Sequence, residues 1–209
     1  MAEFELYCFA QSGNSYKAAL MLELCGADWT PRKVEFMQGE TRTDEFRAIN
    51  EMGEAPVLKH KDLTLSQSGV ILDYLAEHFN RFGGENAAEK REILRWILFD
   101  NHKFTSYTAT VRFMRTFMKT GETPVVEFFD ARARGAYKVL ENHLVGRTFV
   151  VADRPTIADF SLCGYLFYEN EIGIDISEFG HISAWLNRIR GLEGWKHPYD
   201  LMPGHPLPS

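Results

Sequence analysis

No apolar run in this 209-residue chain approaches the roughly 20 residues needed to span a bilayer. The opening MAEFELYCF also lacks the basic start and apolar core of a secretory leader, so neither a membrane nor an exported destination is expected, and a cytoplasmic one is. Cysteine is scarce. Cys8, Cys25 and Cys163 form no C-x-x-C pair and no zinc-finger spacing, and their odd number suits a reducing compartment. Cys25 and Cys163 read as small buried hydrophobes and Cys8 as packing within a strand, so no metal is expected. Basic residues are in deficit, 23 against 29 acidic, for a net charge of -6, which excludes a general polyanion binder and with it a nucleic-acid partner. Internal repeats and low-complexity tracts are absent too.

What is plentiful is aromatic: 13% of residues, with 16 Phe, enough for a thick helical core or an apolar binding cleft. The first 80 residues alternate strand and helix patterns. FELYCF reads as a strand; Ala18, Met21, Leu22 and Cys25 then recur on one helical face until Gly26. WTPRKVEF is a second strand with proline near its start, TDEFRAIN a short helical turn, and APVLKH and LTL a pair of strands. SGVILDYLAEHF is an amphipathic helix with Ile71, Leu72, Leu75 and Phe79 inward. The order βαβαββα describes an α/β unit. RFGGEN marks a boundary, after which Ala87 to about Lys119 is helical throughout. TGETP breaks that helix, and Thr123-Pro124 starts the next as N-cap and first residue, with Gly135 tolerated inside it. DRPTIADFSLCGYLFY and SAWLNRIR are helical again, and the proline-rich tail GWKHPYDLMPGHPLPS reads as extended coil. The expected domains are residues 1–80, α/β, and 87–209, all helical.

Four motifs stand out. QSGNSYKAAL places a small, donor-rich turn directly after the first strand. EAPVL puts Pro56 where a ladder N–H is expected, which fits an edge strand or a cis peptide at Ala55-Pro56; the cis form would turn the Ala55 backbone groups outward toward an extended peptide. LSQSGVIL starts a helix at Gln67 and Ser68, where backbone N–H groups cap the helix or attract a carboxylate. RPTIADFSL carries the capping box Thr156 and Asp159, a structural signal worth about 1 kcal/mol.

Taken in order, these motifs resemble the soluble, cytosolic-type glutathione transferase family in its bacterial-like, serine-type form, and the resemblance covers essentially the whole chain. It implies a thioredoxin-like N-terminal domain followed by a helical domain, with glutathione as co-substrate and no metal. It further implies conjugation of the glutathione thiolate to small hydrophobic electrophiles in detoxification, and a homodimer. Carried over residue by residue, Ser12 donates to the glutathione sulfur as the catalytic group. Ala55 and Pro56 present the cysteinyl backbone contacts, Gln67 and Ser68 hold the γ-glutamyl end, and Thr41 and Arg42 fall near the glycine carboxylate. Glu54 departs from the pattern: a carboxylate there weakens binding of a dicarboxylate ligand unless it points away. Tyr7 is the rival activator, since other classes use a tyrosine near the end of the first strand, whereas Ser15 belongs to the first turn of the helix. Phe104 and Tyr107, with Phe113 and Phe117, lie on the long helix where they line an electrophile pocket or form core. The alternatives are a glutathione-dependent isomerase, dehalogenase or ether-cleaving enzyme on the same fold, and a non-catalytic interaction module. A cysteine typical of the isomerase turn is missing from SGNS, and a scaffold has no need of every ligand contact.

Overall fold

The computed structural model describes residues 2–207, which form two compact units. In the first, β1 (Phe4–Cys8) points Phe4, Leu6 and Cys8 into the core. The chain continues through α1 (Gly13–Leu24), β2 (Trp29–Lys33), α2 (Asp44–Ile49), β3 (Val57–His60), β4 (Leu63–Ser66) and α3 (Ser68–Phe79). The sheet order is β2-β1-β3-β4, with β2 parallel to β1 and both other pairings antiparallel. Pro31 is tolerated because β2 is an edge strand, where one side of the backbone needs no ladder partner. Thr43 starts α2 by accepting from Phe46 N at 3.2 Å. On α3, Ile71, Leu72 and Leu75 are buried as the helical spacing predicts.

The second unit, 82–191, is helical: α4 (Ala87–Phe99), α5 (Thr105–Arg112), α6 (Pro124–His143), α7 (Ile157–Cys163), α8 (Glu169–Ile172) and α9 (Gly180–Arg190). Asn86 caps α4 by accepting from Ala88 N and Glu89 N, and Thr123 caps α6 by accepting from Val126 N. The stretch expected to be one uniform helix is interrupted twice. Residues Asp100–Phe104 and Phe113–Phe117 adopt widened turns bonded five residues apart, and each shifts the apolar face relative to a 3.6-residue wheel. Asp159 is the polar centre of this unit. Its wholly buried carboxylate accepts from Thr156 N (2.8 Å), Thr156 Oγ1 (2.9 Å), Val150 N (2.9 Å) and Trp185 Nε1 (2.8 Å). Burial pushes its pKa up, while the four donors pull against that rise.

The tail corrects an expectation. Residues from 192 onward group with the first unit, through α10 (Pro198–Leu201), which packs on α1. Prolines remove N–H groups and leave carbonyls, and the tail is used that way. Lys196 O accepts from Tyr16 Oη (2.8 Å), Pro203 O from Ala10 N (2.8 Å) and Gly204 O from Gln11 Nε2 (2.7 Å). With α3 also packed on it, α1 buries far more than the single apolar face that its spacing suggested.

Cys8 and Cys163 are buried and Cys25 is partly so. Burial raises the thiol of Cys8 to about 12 and that of Cys25 to about 11, so neither is a thiolate at neutral pH. The native protein should therefore react with a disulfide reagent at pH 8 at least tenfold more slowly than the urea-unfolded chain, which should release all three thiols. A fast stoichiometric reaction in the native state would contradict this burial.

Candidate functional site

Val57 is paired with both Tyr7 of β1 and Ser66 of β4. The segments that follow β1, precede β3 and follow β4 therefore leave the sheet at the same end, on adjacent strands. These are the serine turn, Ala55-Pro56 and Gln67-Ser68.

Ser12 is the N-cap of α1. Its Oγ accepts from Ser15 N at 3.1 Å and the residue is 5% exposed. That bond uses a lone pair, so the hydroxyl proton is still available to donate. The first turn of α1 contains no acidic residue, so the positive end of its dipole is uncompensated and favours an anion. Beside it, Ser15 Oγ and Asn14 Oδ1 are buried without hydrogen-bond partners. The Tyr7 hydroxyl accepts from Lys59 Nζ at 3.2 Å, which likewise leaves its proton to donate, and the same ammonium lies 5.0 Å above its ring. A cavity of about 150 Å³ near the turn is lined by Phe9, Gln11, Lys33, Phe36, Gly204 and Leu207, and its tail residues could not be anticipated from an extended-coil reading.

The Ala55-Pro56 peptide is cis. The loop before it is fixed by Asn50, whose Nδ2 donates to Glu54 O at 2.7 Å. Gly53 has φ +64°, and a Cβ there would stand 2.8 Å from Thr41 O, so this close approach requires glycine. Thr41 is thereby buried against the loop, while Arg42 is exposed.

Gln67 adopts φ 66°, ψ 115°, a costly backbone for a residue with a side chain and one that tends to persist where the surroundings impose it. No side chain caps α3, and its first-turn N–H groups face outward from the helix start at Ser68. Glu54 does not point away, as the sequence left open; its Oε2 accepts from Gln67 Nε2 at 2.9 Å. This contact between positions 13 residues apart had no sequence signal.

Phe104 needs correction. It is 1% exposed, with its ring 4.9 Å from that of Tyr137, so it is core of the helical unit and not the lining of a pocket. Tyr107 is half-buried, 6.2 Å from Phe129.

Residues 2–77 match the family description "Glutathione S-transferase, N-terminal domain" and residues 108–193 match "Glutathione S-transferase, C-terminal domain". The chain belongs to the glutathione S-transferase family. It is 30% identical over 200 residues to the glutathione S-transferase-like protein LUC7 of a Fusarium species, covering 90% of this chain and 89% of that protein. It is 26% identical to the maleylacetoacetate isomerase of Rhizobium meliloti, covering 96% of this chain and 99% of the isomerase. Among solved structures, a possible glutathione S-transferase from Rhodopseudomonas palustris superposes with a TM-score of 0.89 at 32% identity, covering 96% and 91% of the two chains.

Proposed function

We propose that this protein binds glutathione along the sheet end where Ser12, Ala55 and Gln67-Ser68 meet, and transfers its thiolate to small hydrophobic electrophiles. The carrying observation is the shared pairing of Val57, which brings those three segments together. Strands lie about 4.8 Å apart, so β1 and β4 are about 10 Å apart across β3, a span close to the roughly 10 Å of an extended tripeptide. The cysteinyl backbone would pair with Ala55, its sulfur toward Ser12, and the γ-glutamyl carboxylate would meet the open N–H groups of α3 and the Ser68 hydroxyl. Thr41 and Arg42 would serve the glycine end. Ser12 would donate to the sulfur and, with the α1 dipole, hold it as thiolate. The place of Ser12 at the uncompensated positive end of α1 favours it over Tyr7 in that role. Tyr107 remains the aromatic candidate for the electrophile.

Glu54 acquires a role from its contact with Gln67. The γ-glutamyl end of glutathione carries an ammonium as well as a carboxylate, and a carboxylate at Gln67 can accept from that ammonium. Glu54→Gln should therefore weaken glutathione binding about tenfold, the scale of one charge-assisted hydrogen bond, with a smaller loss at high salt. Calorimetry that found tighter binding in the variant would make Glu54 a repulsive group instead.

Calorimetry and a conjugation assay test the reading as a whole. Saturable binding of glutathione with thiol loss in the presence of an electrophile supports it; no binding at millimolar glutathione ends it. Similarity to the Rhizobium isomerase marks the second reading, a glutathione-dependent isomerase. The SGNS turn, without the cysteine of that class, weighs against it, and the protein would most readily act as a homodimer in the cytoplasm under either reading.

A further inference from the structure

At the opposite end of the same sheet, Phe4 pairs with His60, and a second cluster forms there that the transferase reading does not use. We propose that Glu3, His60 and His78 bind a divalent transition-metal ion of the zinc type. One ligand atom from each lies within 4.8 Å of the others. Glu3 Oε1 is 3.2 Å from His60 Nε2 and 3.7 Å from His78 Nε2. Around tetrahedral zinc, with bonds near 2.0 to 2.1 Å, neighbouring ligand atoms stand about 3.3 Å apart, so closing the site takes only a small side-chain adjustment.

His60 supplies the independent pointer. It is 5% exposed, and its Nε2 has no hydrogen-bond partner although a carboxylate oxygen lies 3.2 Å away. Its Nδ1 is 2.5 Å from the Tyr74 hydroxyl. The assignment consistent with an unpaired Nε2 has Nδ1–H donating to Tyr74, and then a lone pair on Nε2 faces a carboxylate. Two acceptors face each other, His60 from the buried side and Glu3 from the exposed side with His78, and a cation between them satisfies both. The bond to Tyr74 is also the outer partner that metal-bound histidines ordinarily have, fixing tautomer and ring orientation. Aromatic packing holds the rings: Phe4 stacks on His60 with centroids 4.3 Å apart, and Phe4 and Phe79 meet His78 edge-on.

Two imidazoles and one carboxylate suit zinc, cobalt, nickel or copper over magnesium or calcium, with the remaining position open to water. The three ligands come from the approach to β1, the end of β3 and the last turn of α3, so the ion would fasten that edge of the first unit and take no part in thiol transfer. Cysteine spacing gave no hint of it, because histidines at 60 and 78 are separated by β4 and most of α3.

The test is titration of the chelator-treated full-length protein with Co²⁺ and with Zn²⁺. Binding of one ion should give the visible absorption of a four-coordinate Co²⁺ centre and raise Tm by about 5 °C at a hundredfold excess over Kd. Glu3→Gln and His78→Gln should each weaken binding more than tenfold, and Tyr74→Phe about tenfold through the ring orientation, with glutathione binding unchanged in all three. No binding at millimolar metal would overturn the site. So would affinity unaffected by Glu3→Gln and His78→Gln, or an NMR titration in which only protons reach His60. None of these results depends on the glutathione reading.

Discussion

Asp159→Ala should cost the protein about 4 kcal/mol or more and lower Tm by roughly 10 °C. The carboxylate is fully buried and takes four donors: the Thr156 backbone and hydroxyl, Val150 N and Trp185 Nε1. Alanine leaves these groups buried and unpaired, at about 1 to 3 kcal/mol for each orphan, and adds a cavity. A loss on that scale is a large share of the roughly 5 to 15 kcal/mol that stabilises an ordinary domain. Poor soluble yield is an outcome in line with this, so Asp159→Asn serves as the measurable companion. The amide retains one accepting oxygen but turns N–H groups toward the donors, and its Tm should fall between wild type and alanine. Thermal unfolding that placed Asp159→Ala within about 3 °C of wild type would mean that water or neighbouring carbonyls replace the carboxylate.

Ser12→Gly should make thiol transfer slower than wild type at neutral pH and faster at alkaline pH. Glycine caps a helix within a few tenths of a kcal/mol of serine, so it removes the hydroxyl while sparing the start of α1, which alanine would not. If the hydroxyl holds the thiol pKa at about 6.5 and its loss lets it return to about 8.5, the ionised fraction at pH 7 falls about 25-fold. The more basic thiolate is about 6- to 10-fold more nucleophilic, so kcat/KM at pH 7 should fall only about 3- to 4-fold. Because the variant's pKa is higher, its rate keeps rising with pH after the wild type has levelled. Above about pH 8 the variant should be the faster enzyme, by up to about 6- to 10-fold where both thiols are ionised. A variant slower at every pH by a constant factor would show that Ser12 positions the sulfur without tuning it. An unchanged profile would pass the role to Tyr7 or to the backbone amides of α1.

The local parts of this architecture were legible because each rests on neighbours in the chain. Ala18, Met21 and Leu22 repeat at helical spacing, as do Ile71, Leu72 and Leu75, so α1 and α3 could be placed from a few residues each. The element order βαβαββα was likewise readable from alternation and turns. For Phe104, position on a helix does not choose between pocket lining and core; its burial against Tyr137, a residue 33 positions away, decides for core. Glu54 with Gln67, and Gly204 with Gln11, are contacts between distant positions, and nothing in either neighbourhood announces its partner.

The last stretch of the chain closes over α1, so the first unit is assembled from both ends of the polypeptide, with 110 residues of the other unit between them. During synthesis, Tyr16 and Gln11 emerge long before the carbonyls of Lys196 and Gly204 that receive their hydrogen bonds. At about 5 to 20 residues per second the first helix waits on the order of 10 to 40 s for them, with one flank uncovered, while the intervening helices can already fold. Ribosome-bound chains stopped before residue 192 should therefore protect the middle of the sequence from protease better than its beginning.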